Sequence, residues 1–237
     1  MLKYNMIMRT VVLIILFGAA SGFWFQSPVI YAFSVDQAEE RAVQLLETIR
    51  WYEFGMDRSP IFQLQVLITE NDDPETQKRL EMLLLDFLRS DATLASRQMI
   101  CKNLSLFATE DSVPVLGELL RVDETSDMAR YVLERIPNTD TAVESVLIDA
   151  LKTSTGKTRI GIINSLGKCG GKSTLPLLEK SIRASQPDII HATIAALAEI
   201  ADDQSETILW EALDDVKTVP KSTIWDAILQ CAESRRL

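Results

Sequence analysis

Histidine is nearly missing from this chain: it has one, His191, beside 24 basic and 34 acidic residues. A lone imidazole cannot build a histidine-rich metal centre, and any serine or cysteine nucleophile would depend on it alone for a base. Cysteine is scarce too. Cys101, Cys169 and Cys231 form neither a zinc spacing nor a Cys-x-x-Cys-His haem attachment site. No strand-like alternation persists beyond a few residues, which argues against a sheet. Positive charge is in deficit and forms no stripe, so phosphate backbones are repelled and nucleic acid is excluded as a partner. The same deficit disfavours anionic membrane surfaces.

The one long apolar run lies at the N-terminus. Lys3 and Arg9 precede Val11–Ala20, and small residues follow, with candidate cleavage points after Ser21 or Gly22, Ala32 and Ser34. A basic, then apolar, then small-residue order predicts a secretory signal peptide over 1–34. The alternative is an uncleaved anchor to the inner membrane through residues 10–32, since the apolar character resumes through Ala32. Both basic leader residues fall before position 35 and every acid after it. The remainder therefore holds 22 basic against 34 acidic residues, a net charge of −12.

What is abundant is repetition. Leu116, Leu147, Leu178 and Leu209 are spaced by 31, and each has an apolar residue four positions on: Leu120, Leu151, Ile182 and Leu213. A second series runs Ile136, Leu166, Leu197 and Ile228, at steps of 30, 31 and 31. Two phase-locked apolar stripes per period predict two short helices per repeat, hence an all-α, right-handed α-solenoid of antiparallel helix pairs. Leu85 lies 31 before Leu116, so the repeat domain is drawn over 73–237, with N-terminal capping helices over 35–72. The pairs are predicted at 74–89 with 92–108, 112–121 with 126–136, 141–152 with 157–168, 173–184 with 188–201, and 205–216 with 221–234. Earlier helices are predicted from Val35 to about Tyr52 and from Ile61 to Glu70. Pro114 and Pro176, 62 apart, fall in first turns, where a missing N–H does no harm.

The period also assigns single residues. Cys169 and Cys231 are 62 apart with Ile200 between them, so the position is apolar and the thiols are expected buried and unbridged. His191 is the equivalent of Ile160 and is expected partly buried. Gly156-Lys157-Thr158 matches the end of a phosphate-binding loop, but Leu151 stands where that loop needs glycine and no strand precedes it. Asn71-Asp72-Asp73, Asp202-Asp203 and Asp214-Asp215 lack the spacing of a calcium loop and are expected as solvated helix ends. Trp51, Tyr52 and Phe54 are expected to cap the first core. No buried polar residue is expected at a core position.

The local signature is a Val113-Pro114-Val115-Leu116 or Leu175-Pro176-Leu177-Leu178 first helix. Its second helix ends in Ser165-Leu166-Gly167 or Ala196-Leu197-Ala198-Glu199-Ile200-Ala201. Over about 73–234 this resembles the HEAT-like repeats, armadillo-like in architecture, in the short form also seen in phycobilin-lyase-like proteins. The segments 128–137 and 159–167 are similar to those of exported HEAT-repeat proteins of bacteria. The resemblance implies a scaffold or interaction module, working beside exported enzymes and cytochromes.

These readings combine into a non-catalytic protein–protein interaction scaffold of the bacterial envelope, periplasmic or secreted and monomeric, without cofactor or metal. The partner is a protein, and membrane contact is expected only if the N-terminal segment is uncleaved. The expected binding surface is the concave face of the second helices, on Glu134, Asn164 and Asp226 and on the neighbouring series Lys168, Glu199 and Gln230. Two alternatives remain: a lyase-like enzyme or binder of a hydrophobic ligand in the groove, and a membrane-anchored structural component of the envelope.

Overall fold

The computed structural model describes residues 34–137 and 140–235, all within the compact unit Phe33–Leu237. The expected leader and its cleavage points up to Ala32 lie outside the described residues. Among those described, every regular element is a helix. Six pairs follow one another: α1 (Val35–Ile49) and α2 (Ser59–Glu70), α3 (Pro74–Arg89) and α4 (Leu94–Leu104), α5 (Val113–Leu119) and α6 (Asp123–Leu133). Then come α7 (Asp140–Thr153) and α8 (Gly156–Cys169), α9 (Leu175–Ile182) and α10 (Pro187–Ile200), α11 (Asp203–Asp215) and α12 (Lys221–Ser234).

Local chemistry sets the helix starts. Ser34 caps α1 in a reciprocal box with Gln37, Asp73 accepts from the Thr76 N–H ahead of α3, and Asp202 accepts from Ser205 ahead of α11. Two of the acidic turns are thus capped helix ends. Each of α3, α5, α9 and α10 carries proline in its first turn, where no intrahelical donor is lost.

The odd-numbered helices form one row and the even-numbered ones another. In the even row every neighbour touches the next, from α2 on α4 through to α10 on α12. In the odd row α1 packs on α3, α5 on α7 and α9 on α11, whereas α3–α5 and α7–α9 make little direct contact. The apolar core runs between the rows and takes in Leu116, Leu147, Leu178 and Leu209 with Leu166, Leu197 and Ile228, as the 31-residue period requires. Where neighbours within the even row pack most closely, side chains must be small. A Cβ added to Gly167 on α8 would lie 2.7 Å from the Ala196 Cα on α10.

Several expectations need correction. The first helix stops at Ile49, and α4 starts at Leu94, after Thr93 caps it by accepting from the Ser96 N–H, and ends at Leu104, four residues before the expected end. Short 3-10 turns at Glu110–Ser112 and Lys172–Thr174, not foreseen, lead into α5 and α9. Gly156-Lys157-Thr158 is the first turn of α8, preceded by a helix and not by a strand. His191 is exposed, because Ile189 and Ile190 take the packing positions in that turn while Ile160 is half-buried. Tyr52 is buried and meets Phe54 edge to face at 6.1 Å, but Trp51 and Phe54 are exposed, so only one of the three aromatics serves the core. Cys101 and Cys231 are buried free thiols, and burial pushes Cys101 up to about 12, which keeps it an unreactive thiol. Cys169 is half-buried at the end of α8.

Candidate binding surface

The six residues singled out from the sequence all lie on, or just beyond, even-row helices, and they fall into two groups. Glu134, the first residue past α6, is half-buried and accepts from the Ser165 hydroxyl at 2.6 Å and from the Lys168 ammonium at 2.8 Å. That joins α6 to α8, so Glu134 and Lys168 are tied up with each other. Asn164 on α8, Glu199 on α10, and Asp226 and Gln230 on α12 are exposed and make no hydrogen bond or ion pair among the described residues. Four side chains of hydrogen-bonding chemistry thus stand open to solvent on three successive helices. Ala195, between Asn164 and Asp226 in the series, is exposed as well.

Two buried carboxylates escaped the sequence reading. Glu81 on α3 is 2% exposed and accepts from the Thr109 N–H at 2.7 Å, the Thr109 hydroxyl at 2.9 Å and the Ser112 hydroxyl at 2.5 Å. Glu144 on α7 is 6% exposed and accepts from the Gly171 N–H at 2.8 Å and the Thr174 hydroxyl at 2.6 Å. Each strap holds the 3-10 turn that leads into the next odd-row helix. They sit at the two junctions where those helices make little contact. Burial alone would push the Glu144 carboxyl up, but the Ser173 and Thr174 hydroxyls and the Gly171 N–H outweigh it and hold the carboxyl below its usual range. A carboxylate so saturated with donors is a poor proton carrier and a good anchor. A signal was present: Glu81 and Glu144 are 63 apart, and Ser112 and Thr174 are 62 apart, the same double period as the prolines.

Among the described residues no group of three or more His, Cys, Asp or Glu side chains gathers for a metal ion. No helix among them is long and apolar enough to cross a membrane. Surface grooves are present, one of about 510 Å³ beside Phe107, Thr109 and Arg135.

Residues 144–227 match the family described as HEAT repeats. Over that stretch the chain carries HEAT-like repeats. HEAT repeats are in general protein–protein interaction and scaffolding units, and typically carry no catalysis. The matched stretch covers most of α7 to α12, and Leu85 and Leu116 continue its 31-residue phase towards the N-terminus. No curated protein matches the sequence. A solved structure, of an engineered protein, aligns at 17% identity over 87% of this chain and 93% of its own, with a TM-score of 0.39, too low to bear on the fold.

Proposed function

We propose that this protein is an exported scaffold that binds a protein partner along the outer face of its even-row helices. The observation that carries the reading is the set of open polar side chains Asn164, Glu199, Asp226 and Gln230 on consecutive helices of the closely packed row. When one row of a solenoid packs at every step and the other does not, the array curves towards the closer row, and extended concave surfaces of that kind take up peptide or protein partners. The deficit of positive charge favours a partner with basic groups.

Export rests on the order of residues in the leader. The cap on α1 favours cleavage after Ala32 over cleavage after Ser34, because the latter would remove the side chain that accepts from the Gln37 N–H. Mass spectrometry of the native N-terminus tests this: a chain beginning at Phe33 supports it, and an intact Met1 overturns cleavage in favour of an anchor.

The binding face is tested by photo-crosslinking residues placed at Asn164 and Gln230 in the even row and at Ser145 and Lys180 in the odd row, all exposed. One partner captured from the first pair and not from the second is the expected outcome; the reverse pattern overturns the assignment. Asn164→Ala is expected to change stability by no more than about 0.5 kcal/mol while weakening that partner's binding.

A further inference from the structure

The step from α7–α8 to α9–α10 is held very differently in its two rows. In the odd row α7 and α9 make little direct contact, and α9, only eight residues long, begins after the 3-10 turn Lys172–Thr174. In the even row the same step has the most extensive contact, that of α8 with α10. At its closest point the contact is between backbones, with Gly167 set against Ala196. Helices that meet on glycine and alanine have shallow ridges there, and shallow ridges resist a change of angle less than interlocked large side chains do. The chain crosses this step through Gly170 and Gly171, a link that absorbs backbone rotation at small cost.

Little else ties the odd row together at this point. Glu144 reaches from α7 to the turn, accepting from the Gly171 N–H at 2.8 Å and the Thr174 hydroxyl at 2.6 Å. No ion pair joins α7 to α9 among the described residues. Other steps have several ties. Arg79 on α3 pairs with Asp36 and Glu39 of α1 at 3.3 and 2.9 Å, and Arg183 just beyond α9 pairs with Glu211 and Asp215 of α11 at 3.4 and 4.0 Å. Even the other strapped step has them, since Lys78–Asp111 at 3.6 Å and Arg89–Glu118 at 3.2 Å stand beside Glu81.

We propose that the α7–α9 step is a bending joint: the helices on either side turn about the α8–α10 contact, and the Glu144 strap is the latch that holds the odd row closed. With the latch made, the turn is fixed by a buried carboxylate and the angle is single-valued. With it broken, the even row still holds the two sides together while the odd row opens. Opening on that side deepens the curve of the even-row face, so one carboxylate sets the shape of the surface. The α3–α5 step, with its additional ion pairs, is the stiffer of the two.

Distances from pulsed electron paramagnetic resonance on the full chain test this. The spin labels are attached to genetically encoded keto residues, which leaves the three cysteines untouched. One pair, at Ser145 and Lys180, spans the joint along the odd row; a control pair, at Lys180 and Thr207, spans the direct junction of α9 with α11, and all three positions are exposed. With the rows about 10 Å apart, each 10° of opening, to take a round figure, lengthens the first distance by about 2 Å. Glu144→Ala is expected to lengthen and broaden the first distribution at unchanged helical circular dichroism, and to leave the second as in the wild type. Thr174→Val, which removes the donor hydroxyl at the other end of the strap, is expected to move the first distance the same way by less. A first distribution that stays as in the wild type, or a second that broadens as much, overturns the proposal. Should Glu144→Ala lose its fold, Glu144→Gln and Thr174→Val carry the same comparison.

Discussion

The two kinds of junction in the odd row solve one problem by different chemistry. At α1–α3, α5–α7 and α9–α11 the helices lie against each other directly. At α3–α5 and α7–α9 the incoming chain first makes a 3-10 turn, the next helix is short and begins with proline, and a buried glutamate reaches across to hold the turn. Apolar contact tolerates small shifts, while a carboxylate accepting several short hydrogen bonds fixes the turn at one place. The array therefore has a double period of about 62 residues laid over the single one. The even row is in contact at every step, which makes it the common spine of both kinds of junction.

That contrast can be broken at several points. The spine should show the largest loss. Leu197→Ala, or Leu166→Ala, removes a fully buried side chain between the rows and is expected to lower unfolding free energy by about 2–5 kcal/mol in a denaturant titration. Gly167→Ala, also in the spine, sets a new Cβ against the α10 backbone and is expected to lose about 1–3 kcal/mol, where an alanine in an open helix position would gain. Next come the straps. Glu81→Ala leaves the Thr109 N–H and the Ser112 hydroxyl without their acceptor, an expected loss of about 1–3 kcal/mol. Glu118→Ala removes only an exposed pair with Arg89 and is expected to shift stability by about 0.5 kcal/mol at most. Equal losses at Glu81 and Glu118 would erase the distinction between strap and surface pair.

A smaller effect separates the two junctions by pH. The Glu144 carboxyl titrates below its usual 4.5 in the folded chain, so the folded state binds fewer protons there than the unfolded one. Its contribution is complete above the unfolded value and decays as pH falls through the folded one. Thermal melts of the wild type are therefore expected to drop on acidification below about pH 4.5, and Glu144→Gln to flatten that dependence. An unchanged slope in the variant would remove Glu144 from the account.

The exposure of most of the proposed binding residues could be read from the chain in advance. Asn164, Asp226, Glu199 and Gln230 recur with the apolar stripes but out of phase with them, and a helix position out of phase with its stripe is solvated. Glu134 was legible as to helix row but not as to partners. Its tie to Ser165 and Lys168 depends on how closely α6 approaches α8, which no single-helix pattern encodes.

The sequence by itself determined the repeat, the five helix pairs and the two helices before them to within a few residues, and the packing role of Cys231, though not of Cys169, which is only half-buried. All of these follow from periodicity and capping chemistry, which act within one turn or one period of the chain. Only the tertiary structure decided that Glu81 and Glu144 are buried, and that His191, Trp210, Trp225 and Leu229 are exposed. Periodicity assigns a residue the average surroundings of its position in the repeat. Whether a neighbouring helix is there to cover it, or a turn is there to receive its carboxylate, depends on chain many residues away.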